Sequence, residues 1–416
     1  MRSANSTAYE RYATPRNVTL VVLSVGCLIS LVGFGGRSVF GLFLEPMTVA
    51  NGWNRETFAI AMAVQNLLWG VCMPVAGAIA DRFGAARVIA GGAVIYAFGV
   101  YGMSQAEGAF ALTLFGGVAT GLGVAFTSFS LALAAMARVV GPEKRSLALG
   151  FGTSAGSAGQ VVFSPIYHAF IESYGWELAL ILLAATMLVM VPLALALPGQ
   201  SPDHGSESRS NQPLGNALAE AAGHSGFLLL TLGFFVCGFH VAFITFHFPA
   251  YVKDLGLGPS VGAYAISLVG LFNIVGAVLA GFAGQRFSKK STLSIIYFAR
   301  AVVITALLLA PVSAITIYLF SMAMGLFWLS TVPLTTGIVA QVFGLRYLGT
   351  LFGVVFLSHQ VGSFLGVWLG GWVYDRTGSY DGVWWAGVLL GLLAAIVHWP
   401  INERPLPRLQ AAVETG

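Results

Sequence analysis

The sequence predicts an all-α integral membrane protein that crosses the bilayer twelve times and keeps both termini in the cytoplasm. Composition, the spacing of apolar runs and the distribution of Lys and Arg each support this fold class. Hydrophobic residues make up 57% of the 416 residues and charged residues only 9%, with a mean hydropathy of +0.83. A soluble domain carries roughly 25% charged residues, so most of this chain is suited to lipid rather than water.

Twelve apolar runs follow one another along the chain, and each is long enough to cross a membrane as an α-helix. About 20 helical residues cross a hydrocarbon core of ~30 Å. Helices are favoured because lipid offers no partner for a free backbone N–H or C=O group. The runs are 18–43, 57–80, 87–104, 110–137, 147–171, 176–197, 225–251, 262–284, 291–311, 314–341, 348–373 and 382–400. The first run is too long to be a cleaved signal peptide.

Lys and Arg are unevenly distributed between the loops on the two sides. With the N-terminus inside, fifteen of them lie in inner segments and three, Arg55, Lys253 and Arg376, in outer segments. Cytoplasmic loops carry the excess of positive charge in membrane proteins, so both termini are expected in the cytoplasm of a cell (inner) membrane protein. The net charge of +4 therefore reflects topology, and no nucleic-acid partner is predicted.

A hydrophilic segment at 198–226 separates six of the runs from the other six. It is rich in Pro, Gly and Ser, which is typical of a linker. We therefore predict an N-terminal six-helix bundle at 1–198, a cytoplasmic linker at 199–224 and a C-terminal six-helix bundle at 225–416.

The loop after the second run recurs after the eighth. "GAIADRFGAAR" occupies 77–87 and "GFAGQRFSKKS" occupies 281–291, an offset of 204 residues. Such a repeat indicates two pseudo-symmetric halves that rock about a central site. The first copy resembles the loop signature of the major facilitator superfamily, Gly-x-x-x-Asp-Arg/Lys-x-Gly-x-x-Arg/Lys. With the twelve runs and the repeat, this resemblance covers the whole chain and implies the two-bundle fold of that family.

In that family the loop belongs to the cytoplasmic gate. The residues to which the resemblance gives a gating role are Gly77, Asp81, Arg82, Gly84, Arg87 and, in the second copy, Arg286. Asp81 can cap a facing helix or pair with a basic residue when the inner side closes, and Arg138, Lys144 and Arg145 are the candidate partners. The second copy has Gln285 in place of the acid, so its contacts are weaker. The alternative is that the loop only sets topology and helix packing.

The ionisable groups inside the predicted spans are all basic or can become basic. None of the sixteen Asp and Glu residues lies deep in a span, so the intramembrane carboxylate that proton-coupled sugar and drug transporters commonly use is missing. An intramembrane charge costs on the order of 3 kcal/mol and usually faces a cavity. Arg37 and Arg300 therefore need backbone carbonyls or a substrate anion as partners. A guanidinium suits a carboxylate because it can donate two parallel hydrogen bonds.

Arg37 lies in the outer third of the first span, at the start of "RSVFGLFLEP". This stretch resembles the equivalent part of the monocarboxylate transporters, which carry a lysine here as part of their outward-facing substrate and proton site. The resemblance implies that Arg37 binds the substrate, and Gly33, Gly36 and Gly41 leave room beside the guanidinium. The alternative is that Arg37 snorkels to the outer headgroups.

Histidines in spans seven and eleven are further candidate substrate ligands. His240 and His247 are seven residues apart, so they share one helical face, and histidine can take up a proton near neutral pH. His359, with Gln360 beside it, lies in a stretch that resembles the oxalate–formate exchanger branch, at the position of a substrate-neutralising lysine. For each histidine the alternative is a hydrogen-bonded packing residue.

Two more residues complete the predicted site. Monocarboxylate transporters have an Asp and an Arg four residues apart on span eight, where this chain has Asn273 and Ala277. Either Arg300 in span nine supplies the missing cation, or the substrate is not a simple monocarboxylate. Arg300 could instead bind backbone carbonyls of spans seven or eight.

Together these features predict a secondary transporter that moves a small organic anion, first of all a monocarboxylate, by alternating access. Proton symport is the first hypothesis for the driving force, and exchange or uniport is the alternative. The rival functions are a carrier of a larger aromatic or vitamin-like compound and a non-transporting membrane sensor. The sequence has no nucleotide-binding loop, metal cluster or nucleophile constellation, so no enzyme activity, cofactor or metal is predicted. The chain is expected to act as a monomer.

Overall fold

The computed structural model describes residues 15–138, 142–197, 213–344 and 347–409, and among these residues it contains helices and turns but no strand. The helices are α1 (Pro15–Ser38), α2 (Phe40–Asn51), α3 (Arg55–Phe83), α4 (Ala85–Ser104), α5 (Ala109–Leu112), α6 (Thr120–Phe126), α7 (Phe129–Arg138), α8 (Pro142–Leu188), α9 (Met190–Leu195), α10 (Leu214–Ala222), α11 (Ser225–Asp254), α12 (Pro259–Arg286), α13 (Lys289–Leu309), α14 (Ala314–Phe327), α15 (Thr331–Phe343), α16 (Leu348–Thr377) and α17 (Asp381–His398). A π-helical segment, Thr113–Ala119, joins α5 to α6. Residues 15–197 are called the N-terminal half below, and residues 213–409 the C-terminal half.

Within the described residues, eleven helical stretches are long and apolar enough to cross a membrane. They are Val18–Asn51, Arg55–Ala80, Ala85–Ser104, Ala109–Leu133, Phe151–Leu195, Ser225–Asp254, Pro259–Arg286, Lys289–Leu309, Ala314–Phe343, Leu348–Thr377 and Asp381–His398. The all-helical membrane fold is therefore confirmed. The number differs from the twelve predicted runs because two of those runs fall in the single stretch Phe151–Leu195.

The stretch Phe151–Leu195 has 45 residues, about twice what one crossing needs. Gly175 interrupts it with φ 81° and ψ 164°, a conformation that favours glycine. The hydroxyl oxygens of Tyr167 and Thr186 are 2.8 Å apart, although a continuous helix would separate them by roughly 28 Å at its usual rise. The chain therefore turns back at Gly175 and forms two antiparallel helical segments.

Helices α11 and α16 pack closely because glycines on each helix meet the backbone of the other. A Cβ atom at Gly238 would collide with the His359 carbonyl oxygen, and one at Gly362 would collide with the Phe235 carbonyl oxygen. Small residues of this kind let membrane helices approach where lipid removes the hydrophobic driving force. The close pair fixes the position of His359 relative to α11.

Two helix pairs join the halves of the chain. In the first, Gly70 of α3 lies against the side chain of Gln360 on α16. In the second, the Gln160 side-chain amide of α8 donates to the Ile266 carbonyl of α12 at 3.1 Å. The surface between the halves is therefore built from α3, α8, α12 and α16, and α1 and α11 also reach it.

We expect Gly362→Ala to lower the thermal unfolding temperature of the detergent-purified protein, because its Cβ would overlap the Phe235 carbonyl and overpacking costs about 1–3 kcal/mol. The matched control is Gly353→Ala on the same helix, where a Cβ meets nothing within 4 Å and Ala has the higher helix propensity. Scanning fluorimetry measures both. Equal unfolding temperatures for the two variants would contradict the described packing of α11 on α16.

Candidate functional site

Arg37 is buried where the two halves of the chain meet, and only 6% of its surface is exposed. It is the penultimate residue of α1, and α2 restarts at Phe40, so the first predicted span is interrupted beside the guanidinium. Gly41 of α2 lies against the backbone carbonyl of Thr245 on α11. This contact brings the interrupted span, and Arg37 with it, against the C-terminal half.

The Arg37 guanidinium is held by one amide and two aromatic rings. Its Nη2 donates to Asn66 Oδ1 at 2.6 Å, and Asn66 Nδ2 donates to the Met62 carbonyl at 2.7 Å, which turns the amide oxygen toward Arg37. The guanidinium carbon lies 4.7 Å from the Trp69 ring and 5.8 Å from the Phe246 ring, within cation–π range. No Asp or Glu among the described residues forms an ion pair with Arg37.

Three N–H donors in this region are buried and have no hydrogen-bond partner within the described part of the chain. They are Arg37 Nε, Trp69 Nε1 and Gln360 Nε2. Arg37 lies over the Trp69 ring, and Gly70, the next residue of α3, lies against Gln360. Leaving a buried donor unpaired costs about 1–3 kcal/mol. An anionic ligand with oxygen acceptors would supply what these donors lack.

His359 and Gln360 on α16 adjoin the aromatic neighbours of Arg37. Phe356 meets Trp69 edge-on with ring centroids 5.3 Å apart, and stacks on His359 at 5.5 Å. His359 Nδ1 lies 3.4 Å from Gln360 Oε1 and 3.5 Å from Ser363 Oγ, and both are long contacts. The structure thus brings three predicted ligands, Arg37, His359 and Gln360, to one interface. We call Arg37, Trp69, Phe356, His359 and Gln360 the Arg37 site.

Two other predicted ligands are engaged by the protein backbone. His240 Nε2 lies 2.7 Å from the Gly387 carbonyl of α17, so this nitrogen carries the proton and donates. Arg300 is completely buried, and donates to the carbonyls of Phe327 and Trp328 at the end of α14. Of the alternatives for Arg300, the structure shows backbone carbonyls. These carbonyls belong to the predicted span ten, and not to span seven or eight. They can accept hydrogen bonds from Arg300 because the helix of span ten is interrupted there.

Both polar atoms of the Asn273 side-chain amide also make hydrogen bonds within the protein. Its Oδ1 accepts from the Leu329 backbone N–H at 2.9 Å, and its Nδ2 donates to Ser157 Oγ of α8 at 2.9 Å. Asn273 therefore joins the break between α14 and α15 to the N-terminal half.

His247 belongs to a second polar cluster, at the end of the bundle where α3 begins and α11 ends. Arg55 donates to both carboxylate oxygens of Asp254, at 2.5 and 2.7 Å, and to the Tyr380 hydroxyl at 2.8 Å. That hydroxyl is 3.2 Å from His247 Nδ1, and His247 Nε2 is 2.7 Å from the Val367 carbonyl. Nε2 therefore donates to the carbonyl and Nδ1 accepts from Tyr380. Burial raises the pKa of the Tyr380 hydroxyl, which keeps it a donor.

We call Arg55, Asp254, Tyr380 and His247 the Arg55 cluster, and its end of the bundle the Arg55 end. Further polar contacts surround it. Lys253 donates to Glu45 at 2.5 Å, and the Asp375 carboxylate accepts from the backbone N–H groups of Arg55 and Glu56 at 3.0 and 2.6 Å. Asp375 thereby caps the positive end of the α3 dipole. Each of these contacts joins one half of the chain to the other, around a pocket of about 400 Å³.

The loop that resembles the cytoplasmic gate is only partly described. Gly84 has φ 90° and joins α3 to α4, with its N–H bonded to the Ala80 carbonyl at 2.8 Å, so the turn requires glycine. Gly77 has open space where a Cβ would lie. The exposed side chains are those of Arg82, Arg87 and Arg286. The side chains that lie outside the described residues are those of Asp81 and its predicted partners Arg138, Lys144 and Arg145.

Sequence reasoning missed several residues of these two clusters. Asn66 could have been found, because Gln65 and Asn66 form a pair of amides inside an apolar run. Trp69 carried no signal that distinguishes it from a packing residue. Arg55 was placed in an outer segment, but Asp254 is 199 residues away and no sequence pattern pairs the two.

The helices are long enough to cross a membrane, and they form two halves that polar contacts join at the Arg55 end. A buried polar site lies between the halves. This arrangement is that of a multi-pass membrane transporter. The chain belongs to the Major Facilitator Superfamily, whose family model matches residues 26–331 and 230–415. The resemblance predicted from the loop at 77–87 is confirmed.

Individual relatives cover most of the chain. It is 26% identical over 355 residues to the uncharacterized MFS-type transporter YcxA of Bacillus subtilis (strain 168), which spans 83% of this chain and 85% of the relative. It is 26% identical over 411 residues to monocarboxylate transporter 13 of Bos taurus, which spans 95% of this chain and 92% of the relative. The crystal structure of a D-xylose-proton symporter superposes with a TM-score of 0.73 at 16% identity, over 93% of this chain and 99% of that one, and shows the shared fold.

We expect Asp254→Asn to loosen the Arg55 end, because it removes the charge-assisted bonds that Arg55 donates. The reporter is a cysteine at Thr48, a buried position that lines the pocket at this end, in a chain without Cys27, Cys72 and Cys237. Its alkylation by a maleimide should become several-fold faster.

The control for this experiment is Lys253→Gln. The Lys253 side chain is 43% exposed, whereas that of Arg55 is 11% exposed, and exposed ion pairs contribute only about 0–1 kcal/mol. This change should leave the rate nearly unaltered. Equal rates in the two variants would show that the Arg55–Asp254 pair does not hold the halves together.

Proposed function

We propose that the protein is a secondary transporter that moves a small organic anion, in the simplest case a monocarboxylate, across the cell (inner) membrane by alternating access. The observation that carries this proposal is the Arg37 guanidinium, which is buried between the halves and has no carboxylate partner among the described residues. The unpaired N–H groups of Trp69 and Gln360 lie in the same region. A bound carboxylate would neutralise the guanidinium and accept from these donors, and both effects are stronger in a low-dielectric interior than in water.

Relatives named monocarboxylate transporters support the substrate class, since they match the chain at 25–27% identity. The site of this chain departs from the pattern expected of them, because Asn273 binds Leu329 and Arg300 binds carbonyls of α14. On this proposal the anion depends on Arg37 alone among the buried arginines.

The proposed topology has twelve crossings. The hairpin at Gly175 divides Phe151–Leu195 into two crossings, and the Lys and Arg bias places both termini in the cytoplasm. Bundles at 1–198 and 225–416, joined by the linker at 199–224, would be the moving units within one monomeric chain. A fluorescent protein fused after the last residue should fluoresce in the cytoplasm of living cells, and a periplasm-specific reporter should be silent at the same position.

The structure would then be closed on the outside, where the Arg55 cluster and the Lys253–Glu45 pair join the halves. Outward opening would separate the residues of the Arg55 cluster.

Proton symport is the proposed driving force, with His359 as the proton acceptor. His359 belongs to the Arg37 site and its Nδ1 has only long polar contacts, whereas His240 and His247 make short bonds to backbone carbonyls. A proton on His359 would help to balance a bound anion. A proton gradient that is acidic outside should accelerate uptake into proteoliposomes. Equal uptake with and without the gradient would exclude proton symport and leave exchange or uniport as the mechanism.

A larger aromatic anion is the second candidate substrate. The rings of Trp69, Phe246 and Phe356 surround the guanidinium or its immediate neighbours, and they could stack on a planar substituent. Uptake of pyruvate is measured with benzoate or with acetate as the competing anion, which separates the two size classes. Stronger inhibition by benzoate than by acetate favours the aromatic substrate. Equal or weaker inhibition by benzoate excludes the aromatic substrate.

Arg37→Gln should reduce carboxylate uptake at least about tenfold, since one charge-assisted pair in a buried site exceeds 1.4 kcal/mol. Arg37→Lys should retain part of the uptake, because it keeps the charge but loses the forked geometry. Uptake of radiolabelled pyruvate and benzoate into proteoliposomes is measured at equal protein.

The matched control is Arg404→Gln, which removes an exposed arginine and should leave uptake unchanged. Unfolding temperatures of all variants separate loss of function from loss of fold. Full uptake by the folded Arg37→Gln variant would remove Arg37 from the substrate site.

A further inference from the structure

The predicted span ten is broken in its middle. Helix α14 ends at Phe327 and α15 begins at Thr331. The end of an α-helix leaves backbone groups without partners, and its carbonyls form the negative end of the helix dipole. In lipid such groups cost several kcal/mol unless the protein satisfies them.

Two side chains from neighbouring helices satisfy the groups at this break. Arg300 of α13 donates to the Phe327 carbonyl from Nε at 3.1 Å and from Nη2 at 2.5 Å, and to the Trp328 carbonyl from Nη2 at 2.5 Å. Asn273 of α12 accepts the Leu329 N–H at 2.9 Å. The carbonyl dipoles also explain how a completely buried guanidinium persists without a carboxylate from any residue of the described segments. Only its Nη1 has no partner within the described residues.

The break also lies on the surface between the halves. Leu329 lines a narrow crevice of about 10 Å³, room for one water molecule, together with Phe34 of α1 and Gly156 and Ser157 of α8. Across the same surface Asn273 Nδ2 donates to Ser157 Oγ. The broken segment is therefore tied on one side to Arg300 and on the other, through Asn273, to the N-terminal half.

We propose that Arg300 is a positioning residue that holds the break in span ten, so that Leu329 is presented to the crevice between the halves. It does not bind the transported anion. The two buried arginines thus have different surroundings in the described part of the chain: Arg300 makes three hydrogen bonds to backbone carbonyls, whereas Arg37 makes one hydrogen bond, to the Asn66 amide, and lies between the two halves. This inference concerns the moving parts of the proposed transporter, but its test needs no substrate.

The test measures the local exposure of the break. A single cysteine replaces Leu329 in a chain whose native Cys27, Cys72 and Cys237 are replaced by alanine, and N-ethylmaleimide labels the detergent-purified protein. Arg300→Gln should raise the labelling rate at this position at least about tenfold, the change expected when more than 1.4 kcal/mol of local stabilisation is lost. Arg300→Lys should restore a slower rate, because an ammonium can still bond one or both carbonyls.

Two controls distinguish the break from the rest of the bundle. A cysteine that replaces Leu334, a buried residue of α15, should be labelled at the same rate in the chain with Arg300 and in the Arg300→Gln variant. Arg404→Gln, which removes an exposed arginine, should leave labelling at position 329 unchanged.

Two results would overturn the inference. One is an unchanged rate at 329 in both Arg300 variants, which would mean that the break holds without this side chain. The other is an equal rise at 329 and 334, which would make Arg300 a general support of the bundle. If Arg300→Gln does not fold, Arg300→Lys decides: a rate at 329 above that of the chain with Arg300, with no change at 334, supports the inference, and an unchanged rate at 329 overturns it. Failure of the proposed anion transport would leave these rates unaffected.

Discussion

A guanidinium buried between the two halves, with no carboxylate partner in the part of the chain that the structure describes, is the constraint on which the rest of the structure depends. Arg37 is held by Asn66 and by the rings of Trp69 and Phe246. These contacts stabilise a positive charge only partly, and they leave Arg37 Nε without a partner among the described residues. Arg300 is stabilised differently, because its Nε and Nη2 donate to the carbonyls at the end of a helix, and only its Nη1 has no partner within the described residues. The difference between the two arginines is the physical basis for assigning ligand binding to Arg37.

The arrangement around Arg37 is suited to movement because its contacts come from both halves. Helices α11 and α16 are held together by glycines, so the C-terminal half carries His359 and Gln360 as one unit. The halves themselves are joined by polar contacts and by the close contacts of Gly41 with Thr245 and of Gly70 with Gln360. Hydrogen bonds and ion pairs at a surface between bundles can be exchanged for water at small net cost. Rigid units with a polar interface between them are what alternating access requires.

The sequence was sufficient to predict the all-helical membrane fold, the family, and the burial of Arg37, His359 and Gln360, because hydropathy and a repeated loop are local signals. It could not predict that His240 would bond to Gly387, since a shared helical face with His247 does not say which helix lies opposite. The predicted runs 147–171 and 176–197 placed a turn where the hairpin at Gly175 lies, whereas the break at Trp328 lies inside a single predicted run and depends on bonds from distant residues. The Arg55–Asp254 pair joins residues 199 positions apart, which only the folded chain brings together.

The central claim is that a carboxylate binds at Arg37, and the most direct measurement is the thermal unfolding of purified protein with matched pairs of ligands. Each pair is a carboxylate and its amide, such as pyruvate and pyruvamide or benzoate and benzamide. A ligand that binds only the folded state adds RT ln(1 + [L]/Kd), about 2.7 kcal/mol at a hundredfold excess over Kd. We expect at least one carboxylate to raise the unfolding temperature of the unaltered protein, its amide to have no effect, and Arg37→Gln to abolish the rise. Equal stabilisation by the amide, or a rise retained in Arg37→Gln, would contradict carboxylate binding at Arg37.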